Sequence, residues 1–299
     1  MGKALADAFP ICRQTFEEAD AALGDSLSRT IFEGPEDQLT LTENTQPAIL
    51  TVSVAAGRLL EEKGLPKPAF VAGHSLGEYT ANVAAGTFSF GDAVRIVRRR
   101  GRYMQEAVPV GTGAMAAILG LDAEKVAQAC REALEDAGAD GKDVVSPANI
   151  NGAGQIVIAG STAAVARAGE RAKALGAKRA IPLPVSAPFH CALMKPAENR
   201  LAPELRALPT REPRVPIVAN VDAEPKRDAN SAIEALVAQV SSPVRWEAVV
   251  QRLAKEGVTT YVEVGPGTVL SGLVKKIHKE ATVLNVASPD DLAAIESIR

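Results

Sequence analysis

Residues 69–85 read AFVAGHSLGEYTANVAA, and this stretch decides the fold. An apolar run leads into Gly73-His74-Ser75-Leu76-Gly77, and a helix-forming run follows. Gly-x-Ser-x-Gly between a strand and a helix is typical of a nucleophile elbow, in which the glycines let strand and helix come close around an exposed serine. The pattern predicts acyl transfer through an ester on Ser75. The alternative is a strand-to-helix turn whose serine only caps the helix.

The composition argues against several classes of protein. The 299 residues are 46% hydrophobic and only 4% aromatic, which suits helices packed on a sheet. The formal net charge of −3 gives no basic excess that would indicate nucleic-acid binding. No apolar run reaches the roughly 18 residues of a membrane span, and no secretory signal is evident. The three cysteines lack disulfide or metal-ligand spacing, so a cytoplasmic protein without a metal site is expected.

Two kinds of pattern divide the chain. Residues 112–185 read strand, helix, strand, strand, helix, strand, with a hairpin signal at Asn151-Gly152, and this order is typical of a ferredoxin-like unit. The remaining segments alternate helices, the first over residues 1–24, with short apolar strands. We therefore predict an α/β protein with an α/β-hydrolase-like large domain, residues 1–109 and 190–299, that has a mostly parallel sheet. The inserted ferredoxin-like small domain is residues 110–189.

A serine nucleophile needs a base, and the chain has only three histidines. His74 adjoins Ser75, where neighbouring side chains diverge. His278 lies in a basic segment that reads as a solvated helix end. His190 follows a proline-stiffened segment that leaves a strand, where catalytic bases are commonly held, so His190 is the predicted base. No acid between Ser75 and His190 clearly follows a strand, so a backbone carbonyl could orient the imidazole instead.

Arg100 is the candidate for binding an acidic substrate. It shares its helix ridge with Ile96 and Met104, and Gly101 beside it permits close packing, so this arginine is expected to be partly buried. A buried guanidinium offers a planar fork to a carboxylate. The alternative is an ordinary surface arginine whose stem covers apolar groups.

Five segments together resemble the malonyl-CoA:acyl carrier protein transacylases of bacterial fatty acid synthesis. They run in order through nearly the whole chain: GHSLGEY at 73–79, RGRYMQEA at 100–107, GTGAMAA at 111–117, PVSAPFH at 184–190 and EVGPG at 263–267. The resemblance implies a ping-pong reaction in which a malonyl group passes from coenzyme A to a serine, and then to the phosphopantetheine thiol of acyl carrier protein. It implies no cofactor besides the coenzyme A thioester itself.

The resemblance also implies roles for individual residues. Ser75 is the nucleophile and His190 the general base, while Gln239 or a neighbouring backbone carbonyl orients the imidazole. Arg100 pairs with the malonyl carboxylate. The remaining assignments are an oxyanion-binding amide at Leu76, positions in the interdomain cleft at Asn149 and Gln155, and a residue favouring malonyl over branched acyl groups at Phe189.

Two further expectations follow from the likeness, and two other functions compete with it. Family members begin with a strand whose glutamine contacts the oxyanion, and Met1-Gly2-Lys3 matches the residues just after it. Either the protein starts upstream of Met1, or the chain lacks this strand and its glutamine; the 299 residues alone are expected to be weakly active or unstable. Acyl carrier proteins are acidic, which makes Lys178-Arg179 and the segment 275–279 candidate docking surfaces, or ordinary surface charge. The competing functions are a serine esterase or thioesterase, and a non-catalytic acyl-carrier docking module.

Overall fold

Helices and short strands alternate along the chain in a mixed α/β fold. The computed structural model describes residues 1–109, 111–136, 143–185 and 187–295. The helices are α1 Lys3–Ala8, α2 Pro10–Leu23, α3 Leu27–Glu33, α4 Glu36–Thr40, α5 Thr42–Glu62, α6 Leu76–Ala85, α7 Phe90–Glu106, α8 Ala123–Glu135, α9 Thr162–Ala174, α10 Lys195–Arg206, α11 Ala229–Gln239, α12 Trp246–Lys255, α13 Val269–Ile277 and α14 Leu292–Ile295. The strands are β1 Val71–Ala72, β2 Gly113–Leu119, β3 Val145–Gly152, β4 Gln155–Ser161, β5 Arg179–Pro182, β6 Ile217–Val218, β7 Pro225–Lys226, β8 Thr260–Val264 and β9 Thr282–Val286.

The first helix predicted from the sequence is wrong in one respect, because residues 1–24 form two helices. The break falls at Phe9, whose backbone is extended with φ −130° and ψ 122°. Pro10 follows it and excludes the helical region for the residue before a proline. The same proline then occupies the first turn of α2, where its missing N–H costs nothing.

The helices α5 and α7 form the centre of the larger unit and bring two site-forming segments together. Most of α5 is buried, in agreement with its apolar sequence. A Cβ added at Gly101 would lie 2.6 Å from the main chain of Glu43, so α7 can approach the start of α5 this closely only with glycine there. This contact confirms the packing expected of Gly101. It sets Arg100 of α7 beside Gln46 of α5.

The strand–helix–strand–strand–helix–strand order predicted for residues 112–185 is present in β2 to β5 with α8 and α9. Its four strands form one sheet in the order β3-β4-β2-β5, and every neighbouring pair is antiparallel. The hairpin turns at Ala153-Gly154, both with positive φ. One face packs against α8 and α9 around Ile118, Val126 and Ile158. The other face packs toward the segment that carries His190.

The predicted mostly parallel sheet is present only as short pieces in the described residues. The strand β1 pairs in parallel with β6, which pairs antiparallel with β7, and a separate sheet joins β8 to β9 in parallel. Since β1 and β6 run in parallel, their carboxyl ends meet at one edge. That edge brings Ser75, three residues after β1, to Asn220, two residues after β6. The sequence did not reveal α10, β7 or β9.

A short ladder joins the two parts of the fold next to this edge. The amide of Ile150 donates to the carbonyl of Val244 at 2.8 Å, and the amide of Val244 donates to Ala148 at 2.8 Å. The strand β3 is therefore bonded to the segment before α12. No helix among the described residues has the length and apolarity needed to cross a bilayer.

Candidate active site

The elbow holds Ser75 in a conformation that few residues adopt. Its backbone has φ 51° and ψ −107°, and its amide donates to Asn220 Oδ1 at 2.8 Å. A Cβ on Gly73 would lie 2.0 Å from the carbonyl carbon of Gly77, so the elbow closes only with glycine at 73. The Ser75 side chain makes no capping bond to α6. The alternative of a mere helix cap is therefore wrong.

His190 is the histidine that meets Ser75. The Ser75 hydroxyl donates to His190 Nε2 at 2.7 Å, across 115 residues of sequence. The Nδ1 atom of His190 lies 3.0 Å from the main-chain oxygen of Gln239. Because a carbonyl only accepts, Nδ1 carries the proton and Nε2 is left as an acceptor for the hydroxyl. A backbone carbonyl thus orients the imidazole with Nε2 toward the Ser75 hydroxyl.

The surroundings of His190 keep its imidazole neutral. The ring is buried, and burial together with the nearby Arg100 charge lowers its pKa to about 3. A base with such a pKa is unprotonated at any physiological pH. Within the described residues no carboxylate contacts this ring, so the Asp or Glu partner that would favour an ordinary esterase is not found there.

Arg100 is buried and lies against the nucleophile, as its sequence neighbours predicted. Only 2% of the residue is exposed. Its Nη1 donates to Gln46 Oε1 at 2.7 Å, and its Nη2 donates to Ser75 Oγ and Gln239 Oε1, both at 3.0 Å. The guanidinium carbon lies 5.2 Å from the centre of the Tyr79 ring.

The charge of Arg100 has no direct counter-ion. Its Nε has no hydrogen-bond partner, and the described carboxylates form no salt bridge with it. Burial lowers its pKa from the ordinary value, yet a guanidinium stays protonated in proteins. A buried cation with an unused N–H is a site for an anion.

These groups border a cavity of about 250 Å³. Of the predicted site residues, Ser75, Leu76, Arg100, Asn149, Phe189 and His190 line it. Its remaining lining residues are Thr42, Gln46, His74, Met104, Met115, Leu183 and Val185. The Oδ1 atom of Asn149 is buried and has no hydrogen-bond partner. The cavity therefore combines the Ser75 hydroxyl, the His190 imidazole and the Arg100 guanidinium within an otherwise largely apolar wall.

Two predicted residues lie outside this lining. Gln239 sits behind it, where its side-chain amide donates to the Ser75 carbonyl at 3.0 Å across 164 residues of sequence. Gln155 begins β4 opposite Leu119 and does not border the cavity. The structure thus brings Gln239 to the reacting groups and does not bring Gln155 there.

The other two histidines are engaged elsewhere. His74 Nε2 lies 2.9 Å from Asn151 Oδ1, and its ring packs beside Trp246 with the centroids 5.7 Å apart. Burial lowers its pKa. His278 Nδ1 lies 3.1 Å from the hydroxyl of Tyr261. In the described residues, neither of these two histidines bonds to the Ser75 hydroxyl.

Sequence reasoning missed three polar residues, of which Gln46 lines the cavity and Glu78 and Asn220 lie behind it. Each is buried. Asn220 donates from Nδ2 to the Gly73 carbonyl at 2.8 Å, as well as accepting from the Ser75 amide. A lone glutamine near the start of the apolar helix α5 was the one available signal, because a polar residue in a buried helix needs a partner.

The comparisons with known proteins agree with this geometry. The family described as acyl transferase domain matches residues 1–293. The malonyl CoA-acyl carrier protein transacylase of Escherichia coli strain K12 is 51% identical over 290 residues, covering 97% of this chain and 92% of that protein. That of Bacillus subtilis strain 168 is 48% identical over 300 residues, covering 100% and 93%.

This chain belongs to the malonyl CoA-acyl carrier protein transacylases. A solved acyl carrier protein S-malonyltransferase from Vibrio cholerae is 47% identical with a TM-score of 0.94, covering 99% of this chain and 94% of that one. A type II PKS acyl-carrier protein in complex with its malonyl-transacylase matches with a TM-score of 0.95 at 47% identity, again covering 99% and 94%. The resemblance read from the five segments is confirmed.

Proposed function

We propose that this transacylase moves a malonyl group from coenzyme A to the phosphopantetheine thiol of acyl carrier protein through an ester on Ser75. The observation that carries the proposal is the buried guanidinium of Arg100, which has no directly bonded carboxylate among the described residues and lies 3.0 Å from Ser75 Oγ. A site for a neutral acyl group has no use for such a charge, whereas a malonyl group presents a carboxylate beyond the reacting carbonyl. The relatives bear the same activity in their names.

The first half-reaction uses the contacts already present. His190 Nε2 takes the proton of Ser75, and Oγ attacks the thioester carbonyl. The carbon–sulfur bond then breaks, and the proton passes from His190 to the leaving thiolate of coenzyme A. The amide of Leu76 begins α6, where the first N–H groups have no helical acceptor, and it is suited to bind the oxyanion.

The second half-reaction reverses these roles. The phosphopantetheine thiol gives its proton to His190 Nε2, and its sulfur attacks the malonyl ester. The carbon–oxygen bond breaks, and the proton returns to Ser75 Oγ. Gln239 acts throughout through its main-chain oxygen, which holds the proton-bearing Nδ1 of His190 in place. The carbonyl takes the position that a carboxylate has in hydrolases.

Arg100 would bind the free carboxylate of the malonyl group. Its unpartnered Nε and its Nη2 lie on one edge of the guanidinium and form the fork that accepts a carboxylate side-on. Binding there exchanges the Nη2 contact with Ser75 Oγ for one with the substrate. The same hydroxyl is thereby released for attack when the correct acid is in place.

Phe189 and the apolar wall would limit the acyl group to a small one. Phe189 lies next to the base and borders the cavity together with Met104 and Met115. A branch on the malonyl carbon would have to fit against these side chains. Asn149, on β3, borders the same space and has an Oδ1 atom without a partner, so it would be the residue to hold a donor of the substrate. The role of Gln155 stays a prediction without support from its position.

The finer description of the fold belongs with this proposal. The βαββαβ order and the sheet order β3-β4-β2-β5 support a ferredoxin-like small domain at 110–189. The elbow after β1 supports an α/β-hydrolase-like large domain formed by 1–109 and 190–299. Residues 110, 137–142, 186 and 296–299 within those bounds lie outside the described ranges.

Acyl carrier protein would dock on exposed basic surface. Lys275 and Lys276 lie in the last turn of α13, and Lys279 follows it, all exposed. Lys178 and Arg179, at the start of β5, are the second candidate. Such charges speed the encounter with an acidic partner. No group of three or more metal-ligating side chains is formed by the described residues, and the proposed steps use none.

Mass spectrometry after mixing with malonyl-CoA tests the proposal. We expect a malonyl adduct on Ser75 that the Ser75→Ala variant lacks and that holo acyl carrier protein discharges. Ser231→Ala, which changes an α11 serine bonded to Asp228, is the matched control and should keep the adduct. Rapid release of free malonate without a thiol acceptor would identify a hydrolase. Absence of any adduct would support the docking module.

A further inference from the structure

A buried carboxylate, Glu78, lies on the far side of the catalytic groups. Only 1% of it is exposed, although it sits three residues after Ser75 in the first turn of α6. It does not touch Ser75 Oγ or the cavity, and the mechanism above makes no use of it. Removing a carboxylate from water costs free energy, so a buried acid requires compensating hydrogen bonds or charges.

The bonds of Glu78 connect it to both halves of the site. Its Oε2 accepts from Gln239 Nε2 at 2.8 Å and from the Asn220 amide at 2.9 Å. Asn220 in turn holds the Ser75 amide. The carboxylate therefore fixes the side-chain amide of Gln239, the residue whose main-chain oxygen orients His190.

The same amide group connects Glu78 to Arg100. With Nε2 of Gln239 held by Glu78, its Oε1 is turned to accept from Arg100 Nη2 at 3.0 Å. One amide thus separates the buried cation from the buried anion. The negative charge of Glu78 acts on the Arg100 guanidinium and lowers the net charge of the interior when no substrate is bound.

Resting on the proposed function, we propose that Glu78 is a positioning residue whose negative charge opposes the substrate carboxylate, so that loading a malonyl group on Ser75 takes up a proton at Glu78. With the substrate bound, two carboxylates share the single charge of Arg100. Protonation of Glu78 from solvent removes the excess negative charge and leaves Oε2 able to accept from Gln239 and Asn220.

The electrostatic setting places this proton near neutral pH. Burial raises the pKa of Glu78 to about 7, against the lowering effect of its bonds to Asn220 and Gln239 and of the Arg100 charge. Asp222 raises it further, and burial holds the pKa of the neighbouring Tyr79 at about 12, so Tyr79 stays neutral. A second carboxylate on Arg100 raises the pKa of Glu78 again, since like charges disfavour ionisation.

The test compares a charged and an uncharged acyl group on the same enzyme. Malonyl-pantetheine and acetyl-pantetheine carry no nucleotide phosphates, so the ratio of their kcat/KM values for thiol release reports the acyl carboxylate alone. Between pH 6 and pH 9 we expect this ratio to fall about tenfold in the wild-type protein, as Glu78 ionises. Glu78→Gln keeps the acceptor oxygen and removes the charge, so its ratio should stay constant.

The control is Glu263→Gln. The Glu263 carboxylate accepts hydrogen bonds from two backbone amides at the start of α13. In this variant, the ratio of the two kcat/KM values should fall between pH 6 and pH 9 as it does in the wild-type protein. A constant ratio in the wild-type protein, or the same fall in Glu78→Gln, would overturn the inference. Formation of the Ser75 adduct in the same samples keeps the proposed function standing in either case, while its absence would refute the function instead.

A second measurement needs only the wild-type protein, should Glu78→Gln fail to fold. In weakly buffered solution with an indicator dye, malonyl-CoA should cause uptake of a few tenths of a proton per site at pH 7 and almost none at pH 5.5, where Glu78 is already protonated. Acetyl-CoA should cause none. Uptake that grows toward pH 5.5 would assign the proton to His190 and contradict the role of Glu78.

Discussion

Replacing Arg100 with alanine should abolish the preference of the enzyme for malonyl over acetyl groups. The guanidinium is buried, lies 3.0 Å from Ser75 Oγ and has an unused N–H. Removing one partner of a buried ion pair costs about 3–5 kcal/mol. At about 1.4 kcal/mol for each factor of ten, malonyl loading should fall by about 10²–10³-fold, and acetyl loading should change far less.

The assay offers malonyl-CoA and acetyl-CoA together and measures the ratio of the two adducts on Ser75 by mass spectrometry. Arg99→Ala is the control, since this neighbour is half exposed and pairs with Glu204 on the surface. Arg100→Lys keeps the charge without the planar fork and should give an intermediate ratio. An unchanged ratio in Arg100→Ala would refute the assignment of this residue to the substrate carboxylate.

Three further changes test the elbow, the cavity wall and the buried acid. Gly73→Ala should destabilise the fold by about 3 kcal/mol in urea titrations, whereas Gly77→Ala, whose Cβ meets nothing within 4 Å, should stay within about 1 kcal/mol of wild type. Phe189→Ala should raise loading from methylmalonyl-CoA relative to malonyl-CoA about tenfold, and an unchanged ratio would exclude it as a limit on branching. The pKa of Glu78 is raised from 4.5 to about 7 in the folded protein. The contribution of this group to the free energy of unfolding is therefore fully present below pH 4.5, and it is lost as the pH rises through 7. The thermal midpoint of Glu78→Gln relative to wild type should therefore rise between pH 5 and pH 8, and a constant difference would contradict the raised pKa.

Local signals in the sequence were enough to predict the elbow, the histidine that contacts Ser75 and the buried arginine. Ser75 is marked by its flanking glycines, and Arg100 by apolar neighbours on its helix ridge. His190 could be chosen because the chain offers only two other histidines. In each case the deciding information lies within a few residues, or in a count over the whole chain.

The remaining residues of the site depend on contacts between distant segments. Glu78 reads as a solvent-facing acid in the first turn of a helix, and only the later segments that carry Asn220 and Gln239 explain its burial. The lengths of the strands could not be predicted from the sequence for a similar reason. The apolar runs were visible, but pairing limits β1 and β6 to two residues each. The break between the first two helices at Phe9 did have a local signal, which is the proline that follows it.

The spacing of the catalytic groups along the chain has a consequence for biosynthesis. The base comes 115 residues after the nucleophile, and the Gln239 amide that bonds the Ser75 carbonyl lies 164 residues after it. Contacts at such separations form late, because long loops must close first. While the ribosome has not yet released residue 239, Ser75 lacks the carbonyl that orients its base. The contacts around Ser75 are therefore completed only after the segment that carries Gln239 has been synthesised.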